Sequence, residues 1–413
     1  MSGLKDFYIV HSIILLMLTD IEAEVLNQLK KEDTISLAQK MISIDSENPP
    51  GKEKELADFM VDTLKIMGLE VVEYDFKPKR PNVVVVYSSG SNARCLLFNG
   101  HLDTVPFGDL TKWSANPLSG VIKEGRLYGR GSADMKSSIA AFISALNAVM
   151  KSKVELAGNV IIALTSDEED SCIGARDILE RGYHASAAIV GEPSDLQINI
   201  AHKGFARFNL TTYGKLAHAS KPDEGINAIY KMSKAISRLE EIAESYSKLI
   251  TSHPILGRPT LSVGVIKGGS KDNIVPDSCE ITIDRRLLPG DSPQIVEDEL
   301  KKELAKIAED DPQFRYKLEL YNFQPASETN SSEEIVDTAR KAIKEIVGIE
   351  PRVEGMPATT EMSHFVKAGI PAIIMGCGDI KMAHTVNENL PVQQVIDAAK
   401  IYALIMLRYI GTK

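Results

Sequence analysis

Apolar residues recur at three- and four-residue spacing from Glu32 to Met67, interrupted by "SENPPGKE", where Pro49, Pro50 and Gly51 impose a turn. The pattern predicts two helices flanking a loop. Beyond it come short, almost wholly apolar runs: "NVVVVYSS" from Asn82, "CLLFNG" from Cys95, "NVIIALTS" from Asn159, "AAIVGEP" from Ala187 and "PAIIMGCG" from Pro371. Runs of this length, rich in β-branched residues, read as strands buried on both faces. Helical stretches lie between them, such as "SSIAAFISALNAVM", in which Ile139, Phe142, Ile143, Leu146 and Met150 share one face. Strands covered by helices on both sides predict an α/β sheet.

The middle of the chain has a different period. "ARFNLTTYG", "TLSVGVIKGG" and "CEITIDRRL" alternate apolar and polar residues, as strands with one wet face do. Helical segments from Gly225 to Tyr246 and from Pro293 to Ile307 separate them, and "RYKLELY" follows. The order strand, helix, strand, strand, helix, strand predicts a small split βαβ domain inserted over 203–321, leaving 1–202 and 322–413 as the main domain. "PASETNSSEE" then reads as a connector, with Ser331 and Glu334 as a capping box for the next helix. Two domains also suit the length, since 413 residues exceed the roughly 250 to 300 over which one core keeps growing.

Composition narrows the class. With 44% hydrophobic and 25% charged residues the chain is an ordinary globular protein, and its formal net charge of −10 opposes nucleic acid or an anionic membrane as partner. Cys95, Cys172, Cys279 and Cys377 form no CxxC pair, so reduced thiols are expected rather than a disulfide framework or a thiolate zinc site. "FYIVHSIILLML", from Phe7 to Leu18, is too short to span a membrane and is followed by no small-residue cleavage site, which places a docked helix or an extension ahead of a secretion signal and the cytoplasm first.

In open α/β sheets ligands bind beyond the carboxyl ends of the strands. There the sequence puts its polar residues: His101 and Asp103 in "FNGHLDTVP", Glu168 and Glu169 in "LTSDEED", and Glu192 in "IVGEP". Asp134 in "LYGRGSADMK" precedes a helix, and His384 in "GCGDIKMAHTVNE" follows the last strand. A strand-end histidine alone is more often a satisfied polar residue, and an aspartate before a helix a cap. Together, two imidazoles and several carboxylates at one sheet edge are a ligand set suited to zinc, cobalt or manganese, which would offset the accumulated charge. Asp103, two residues beyond His101, is expected to take the imidazole's other hydrogen bond.

These motifs, with Trp113 and Pro117, "GKLAHAS", "GINAI" and "GGSKDNIVPDSCEITIDRRLLPG", strongly resemble in order the co-catalytic metallopeptidases of family M20, which include acetylornithine deacetylase, succinyl-diaminopimelate desuccinylase, aminoacylase and carboxypeptidases. The resemblance implies a mixed-sheet zinc-peptidase catalytic domain carrying a ferredoxin-like lid that forms a homodimer. It implies two divalent ions per subunit, zinc first with cobalt or manganese as alternatives. One would be held by His101 and Glu192, the other by Glu169 and His384, with Asp134 bridging and the Asp134–Met135 peptide cis. Glu168 would take the proton from a water shared by the ions and return it to the leaving amine. His218 would stabilise the oxyanion across the dimer interface, although by spacing alone it reads equally as a surface residue. Arg286, matching a D-x-R-x-x-P pattern, is expected to bind the substrate carboxylate; strict alternation sets it opposite the apolar face that holds Arg285. Asn273 is expected at the active site, with a turn before Pro276 as the other reading, and the backbone of Gly376 is expected to face the substrate.

Two departures from the family pattern, Gly376-Cys377-Gly378 and Thr360-Glu361, are expected to touch the substrate pocket. The implied reaction is removal of an acyl group from an N-acyl amino acid. A carboxypeptidase or dipeptidase is the alternative with the same site, and a scaffold without catalysis the alternative of another class.

Overall fold

The structure, a computed structural model, describes residues 18–88, 90, 94–249 and 252–413. The apolar run from Phe7 as far as Met17 lies outside the described residues. Among them, no helix is long and apolar enough to cross a membrane. The chain divides into two units, one reaching to Ile200 and including Thr329–Glu354 and Thr360–Lys413, the other comprising Ala201–Glu328 and Gly355–Thr359. The insertion therefore continues past Tyr321, because the strand Arg315–Gln324 keeps pairing as far as Gln324 with Phe205.

The first unit is built on a mixed sheet. Its strands lie in the order Val71–Lys77, Arg80–Tyr87, Asn159–Thr165, Cys95–His101, Ala187–Val190, Ala372–Ile374 and Ile198–His202. The central pairs are parallel, so His101 and Thr165, which pair across the sheet, end their strands side by side. The apolar runs form these strands because helices cover them. Ser137–Ser152 is buried almost all round, and the rings of Phe98, Phe142 and Tyr402 meet with centroids 4.4 to 5.5 Å apart. The Tyr402 hydroxyl donates to the Met375 carbonyl at 2.7 Å, which anchors the end of the strand Ala372–Ile374.

The helix after the connector runs over Glu334–Val347. Its N-cap is Glu333 with no side-chain cap bond, so the Ser331–Glu334 capping box does not form. The Asn330 carboxamide oxygen instead accepts from the Ser332 amide at 2.9 Å and closes a turn before the helix begins.

The second unit has the expected split βαβ order. Its four-stranded antiparallel sheet runs Thr260–Gly268, Ser278–Leu287, Gly204–Tyr213, Arg315–Gln324, with the helices Ala228–Ser247 and Pro293–Asp310 on one face. Ala206, Phe208, Leu210, Ile281 and Ile283 point into that core, which leaves Phe205, Arg207, Asp284 and Arg286 on the open face.

Candidate metal centre

Each acidic or imidazole group reaches the centre by a different backbone device. His101 is the last residue of its strand and wholly buried. Its Nδ1 lies 2.9 Å from the Asp103 backbone carbonyl and 3.7 Å from the nearer carboxylate oxygen. The acceptor is thus the main chain, and a carbonyl can only accept, so the proton sits on Nδ1 and Nε2 turns toward Asp134 Oδ1 at 3.0 Å and Glu192 Oε1 at 3.6 Å. The Asp103 carboxylate binds elsewhere, accepting from the amides of Glu168 at 3.2 Å and Glu169 at 3.0 Å.

Those two residues follow Thr165 on a turn rather than a strand. Asp167 adopts a left-handed φ of +74°, which breaks the strand alternation, so Glu168 and Glu169 both face the centre. Asp167 itself faces away: against the opposing effect of burial, the hydrogen bond donated by the Ser171 hydroxyl, then Lys77 at 3.0 Å and Arg80 at 2.6 Å, hold its carboxyl below the usual range. On the far side of the centre His384, with φ +60°, places Nε2 3.0 Å from Glu169 Oε2 and 3.3 Å from Asp134 Oδ2. Two clusters result, His101 with Asp134 and Glu169, and His101 with Glu168 and Glu192, each with its donor atoms within 4.8 Å.

Burial, reinforced by the neighbouring acids, raises the carboxyls of Glu168 and Glu192 well above their ordinary range. Hydrogen bonds to Asp134 and Glu169 raise His384 to about 11, and for His101 the Asp134 bond with the surrounding carboxylates outweighs burial and raises it too. Among the described residues no lysine or arginine pairs with Asp134, Glu168, Glu169 or Glu192. Two buried and two half-buried acids facing two imidazoles, one of them with its Nε2 turned inward by a backbone carbonyl, fit divalent cations.

Several residues to which the sequence pattern assigns no role build the underside. Glu388, fully buried, accepts from Arg130 at 2.8 Å and from the amides of Gly131, Ala133 and Asp134 at 2.8 to 3.1 Å, and so shapes the loop that presents Asp134, whose peptide to Met135 is cis. The Arg130 guanidinium also lies over the Trp113 ring, and the Arg130 amide donates to the Pro117 carbonyl at 2.8 Å. Glu388 lies within the "AHTVNE" motif, but its four contacts are far away in sequence. Glu388→Ala should leave Arg130 buried without its partner, cost about 3 to 5 kcal/mol in calorimetric stability, and lower activity by displacing Asp134.

Three expectations around the substrate pocket change. Glu361 is wholly buried and accepts from Asn99 at 3.0 Å, Thr165 at 2.6 Å and the Ala175 amide at 3.0 Å, so it braces the sheet. Cys377 is likewise buried, its thiol 3.4 Å from the Ser138 hydroxyl. Gly376 donates its amide to Ser194 and its carbonyl accepts from Ser194 and Leu196, which leaves neither group for a substrate. It is glycine because a Cβ there would stand 2.1 Å from the Gly191 carbonyl oxygen, where the chain passes beside Glu192.

The remaining candidates belong to the second unit. His218 and Asn273 are neighbours there: Ala217–His218 pairs with Ile274–Val275, and the Asn273 carbonyl accepts from the Ala219 amide at 3.0 Å. His218 is exposed, and its Nδ1 lies 2.7 Å from the Ser220 hydroxyl and accepts from the Ser220 amide at 3.2 Å, which leaves Nε2 facing away from that turn's bonds. Arg286, on the open face, is held by Asp284 at 2.9 Å and lies over the Phe205 ring, whereas Arg285 is buried against Tyr246.

A strand-end cluster of acids and imidazoles with cation-binding geometry, on a mixed α/β sheet interrupted by a split βαβ insertion, defines a metal-dependent hydrolase of amide or peptide bonds. The chain matches the profile of peptidase family M20/M25/M40 over residues 97–408 and belongs to that family. It is 28% identical over 90% of its length to the N-formyl-4-amino-5-aminomethyl-2-methylpyrimidine deformylase of Bacillus subtilis (strain 168), covering 93% of that protein. It is 30% identical over 80% of its length to the acetylornithine deacetylase of Myxococcus xanthus, covering 84% of it. An M20 family metallo-carboxypeptidase from Sulfolobus solfataricus has the same fold, with TM-score 0.77, 22% identity, and coverage of 91% of this chain and 98% of that one.

Proposed function

We propose that this chain removes a small acyl group from an N-acylated amine, with N-acyl amino acids of the acetylornithine or succinyl-diaminopimelate type as the first substrates to test. The observation that carries the reading is the turn at Asp167, which brings two consecutive glutamates to one buried cluster in different surroundings. His101, Asp134 and Glu192 would hold one divalent ion and Asp134, Glu169 and His384 a second, zinc first and cobalt or manganese otherwise. When bound, such ions polarise a carbonyl and acidify water. Although its position near His101 and Glu192 would also permit ligation, we assign Glu168 to proton transfer, from the attacking water to the departing nitrogen. Arg286, oriented by Asp284 and Phe205, would bind a substrate carboxylate. His218 would offer its Nε2–H to the oxyanion.

A deacylase is preferred to a peptidase because both the Bacillus and the Myxococcus relatives are named for removing a small acyl group, formyl or acetyl. Measuring kcat/KM for N-acetylornithine, N-succinyl-diaminopimelate, other N-acyl amino acids, an N-formyl amine and dipeptides tests the order; dipeptides exceeding every acylated amine would reverse it. In the same assays Arg286→Ala is expected to lower kcat/KM by roughly 10- to 100-fold for substrates with a carboxylate, and little for those without one.

We further propose a cytoplasmic homodimer joined through the second unit, so that His218 serves its partner's site. The edge strand Thr260–Gly268 pairs on one side only among the described residues and exposes Val265 and Ile266. A fully active monomer in sedimentation would contradict this.

A further inference from the structure

We propose that Asn48 is a positioning residue for the turn carrying Glu168 and Glu169, acting through Asp103 and Asp167. The proposal rests on the reading of Glu168 and Glu169 as base and ligand. Asn48 lies in the Pro-rich connection between the helices Lys31–Ile42 and Glu53–Ile66, yet it is only 3% exposed. Its backbone is sewn to the chain leaving His101: the Asn48 amide donates to the Thr104 carbonyl at 2.8 Å and the Thr104 amide to the Ser46 carbonyl at 3.0 Å. Two side chains fasten the same connection, since Glu47 accepts from the Phe107 amide at 2.7 Å and the buried Lys136 donates to the Ile44 carbonyl at 2.9 Å. A loop of this kind would ordinarily lie on the surface. Here it is held under the centre.

The Asn48 carboxamide then directs both of its hydrogens at acids. Nδ2 donates to Asp103 Oδ2 at 2.9 Å and to Asp167 Oδ1 at 3.3 Å. The amide orientation follows from charge, because the opposite one would aim a carbonyl oxygen at two carboxylates. Asp167 has Arg80 and Lys77 besides, but among the described residues Asp103 has no lysine or arginine partner; beside His101, its carboxylate depends on Asn48 and on the amides of Glu168 and Glu169. Asn48 is thus the neutral donor that lets two buried acids stand together on either side of the turn. Without it, Asp103 and Asp167 repel across an unbridged gap, and the amides of Glu168 and Glu169 lose a fixed acceptor. A displacement of about 1 Å at reacting groups costs roughly 100-fold in rate.

The test compares Asn48→Ala, the nearly isosteric Asn48→Asp, and Ile343→Ala as a matched core destabilisation, as full-length protein. The readouts are kcat, KM, thermal midpoint and the visible absorption of the cobalt-loaded protein. Asn48→Ala is expected to lower kcat about 100-fold with KM within about threefold, and to shift the cobalt bands. Asn48→Asp, which fills the same space but replaces the donor by a third acid, should lose at least as much. Ile343→Ala should lose stability alone. Wild-type kcat in Asn48→Asp, a loss in Asn48→Ala no larger than in Ile343→Ala, or unchanged cobalt bands would each overturn the proposal. Should neither Asn48 variant fold, Asn48→Ser, which keeps one donor, carries the test: about a tenfold loss of kcat is expected, and none overturns it. Glu168→Ala run alongside separates the two readings, because full activity in that variant would refute the base assignment and not the placement of Asn48.

Discussion

Glu168→Ala is expected to lower kcat by about 10³-fold while the protein still takes up its full complement of divalent metal. The expectation follows from how the two glutamates part company. Glu169 lies 3.0 Å from His384 and shares a cluster with Asp134, whereas among the described residues the Glu168 carboxylate has only the Cys172 thiol, at 3.6 Å, as a hydrogen-bond partner besides its place near His101 and Glu192. Removing Glu168 takes away a proton carrier and leaves the paired donors in place. Glu169→Ala should instead reduce metal uptake along with turnover. Elemental analysis of each variant beside steady-state kinetics distinguishes the two residues, and wild-type turnover in Glu168→Ala would refute its role.

Stripping the metal with a chelator is expected to abolish activity and to make stability depend steeply on pH. Burial raises the carboxyls of Glu361 and Glu388 to about 7 each, opposed by the hydrogen bonds from Thr165 and Asn99 in one and by Arg130 in the other. Glu168 and Glu192 are raised as well. In each case the folded protein holds a proton that the unfolded chain has already released. The stability tied to Glu361 and Glu388 is therefore fully present below about pH 4.5, the ordinary glutamate value, and is lost as the pH rises through about 7, and the raised Glu168 and Glu192 act in the same direction. The metal-free protein should melt at progressively lower temperature from pH 5 to pH 8, by a few kcal/mol in total, on the order of what each buried acid can contribute. Restoring zinc at about a thousand times its dissociation constant should return about 4 kcal/mol, with uptake releasing protons. Calorimetry of the stripped and reloaded protein measures both effects; a stripped protein that gains stability as the pH rises would contradict the account.

The support beneath the centre explains why some of it could be read in one dimension and some could not. His101, Glu192 and the acids after Thr165 follow apolar runs, and an apolar run ending in a polar residue places that residue at a strand end whatever the rest of the chain does. The split βαβ insertion was legible for a similar reason, since its alternating strands differ in period from the uniformly apolar ones around them. Arg286 and Arg285 could be told apart because alternation is a local property of a strand. The boundary near Tyr321 was less legible: Arg315–Gln324 pairs on without a change in composition to mark its end.

Contacts between distant segments left no such trace. Glu361 looked like a pocket residue because it stands where the chain departs from the family pattern, and only the approach of Asn99, Thr165 and Ala175 shows it to be a buried brace. Gly376 looked like a ligand-facing loop, and the closeness of Gly191 shows why it is glycine. The Ser331 capping box obeyed the local rule and lost to an equally local competitor, the carboxamide of Asn330.

By itself, then, the sequence determined which side chains end the buried strands, how many acids gather there, and that a cation must answer them, because period and charge are carried residue by residue. The tertiary structure decided the rest. A φ of +74° at Asp167 turns two adjacent glutamates toward one centre, a backbone carbonyl rather than a carboxylate sets the His101 tautomer, and Asn48, Glu388 and Glu361 become supports, because hydrogen-bond partners far apart in the chain are chosen only when the fold brings them within about 3 Å of one another.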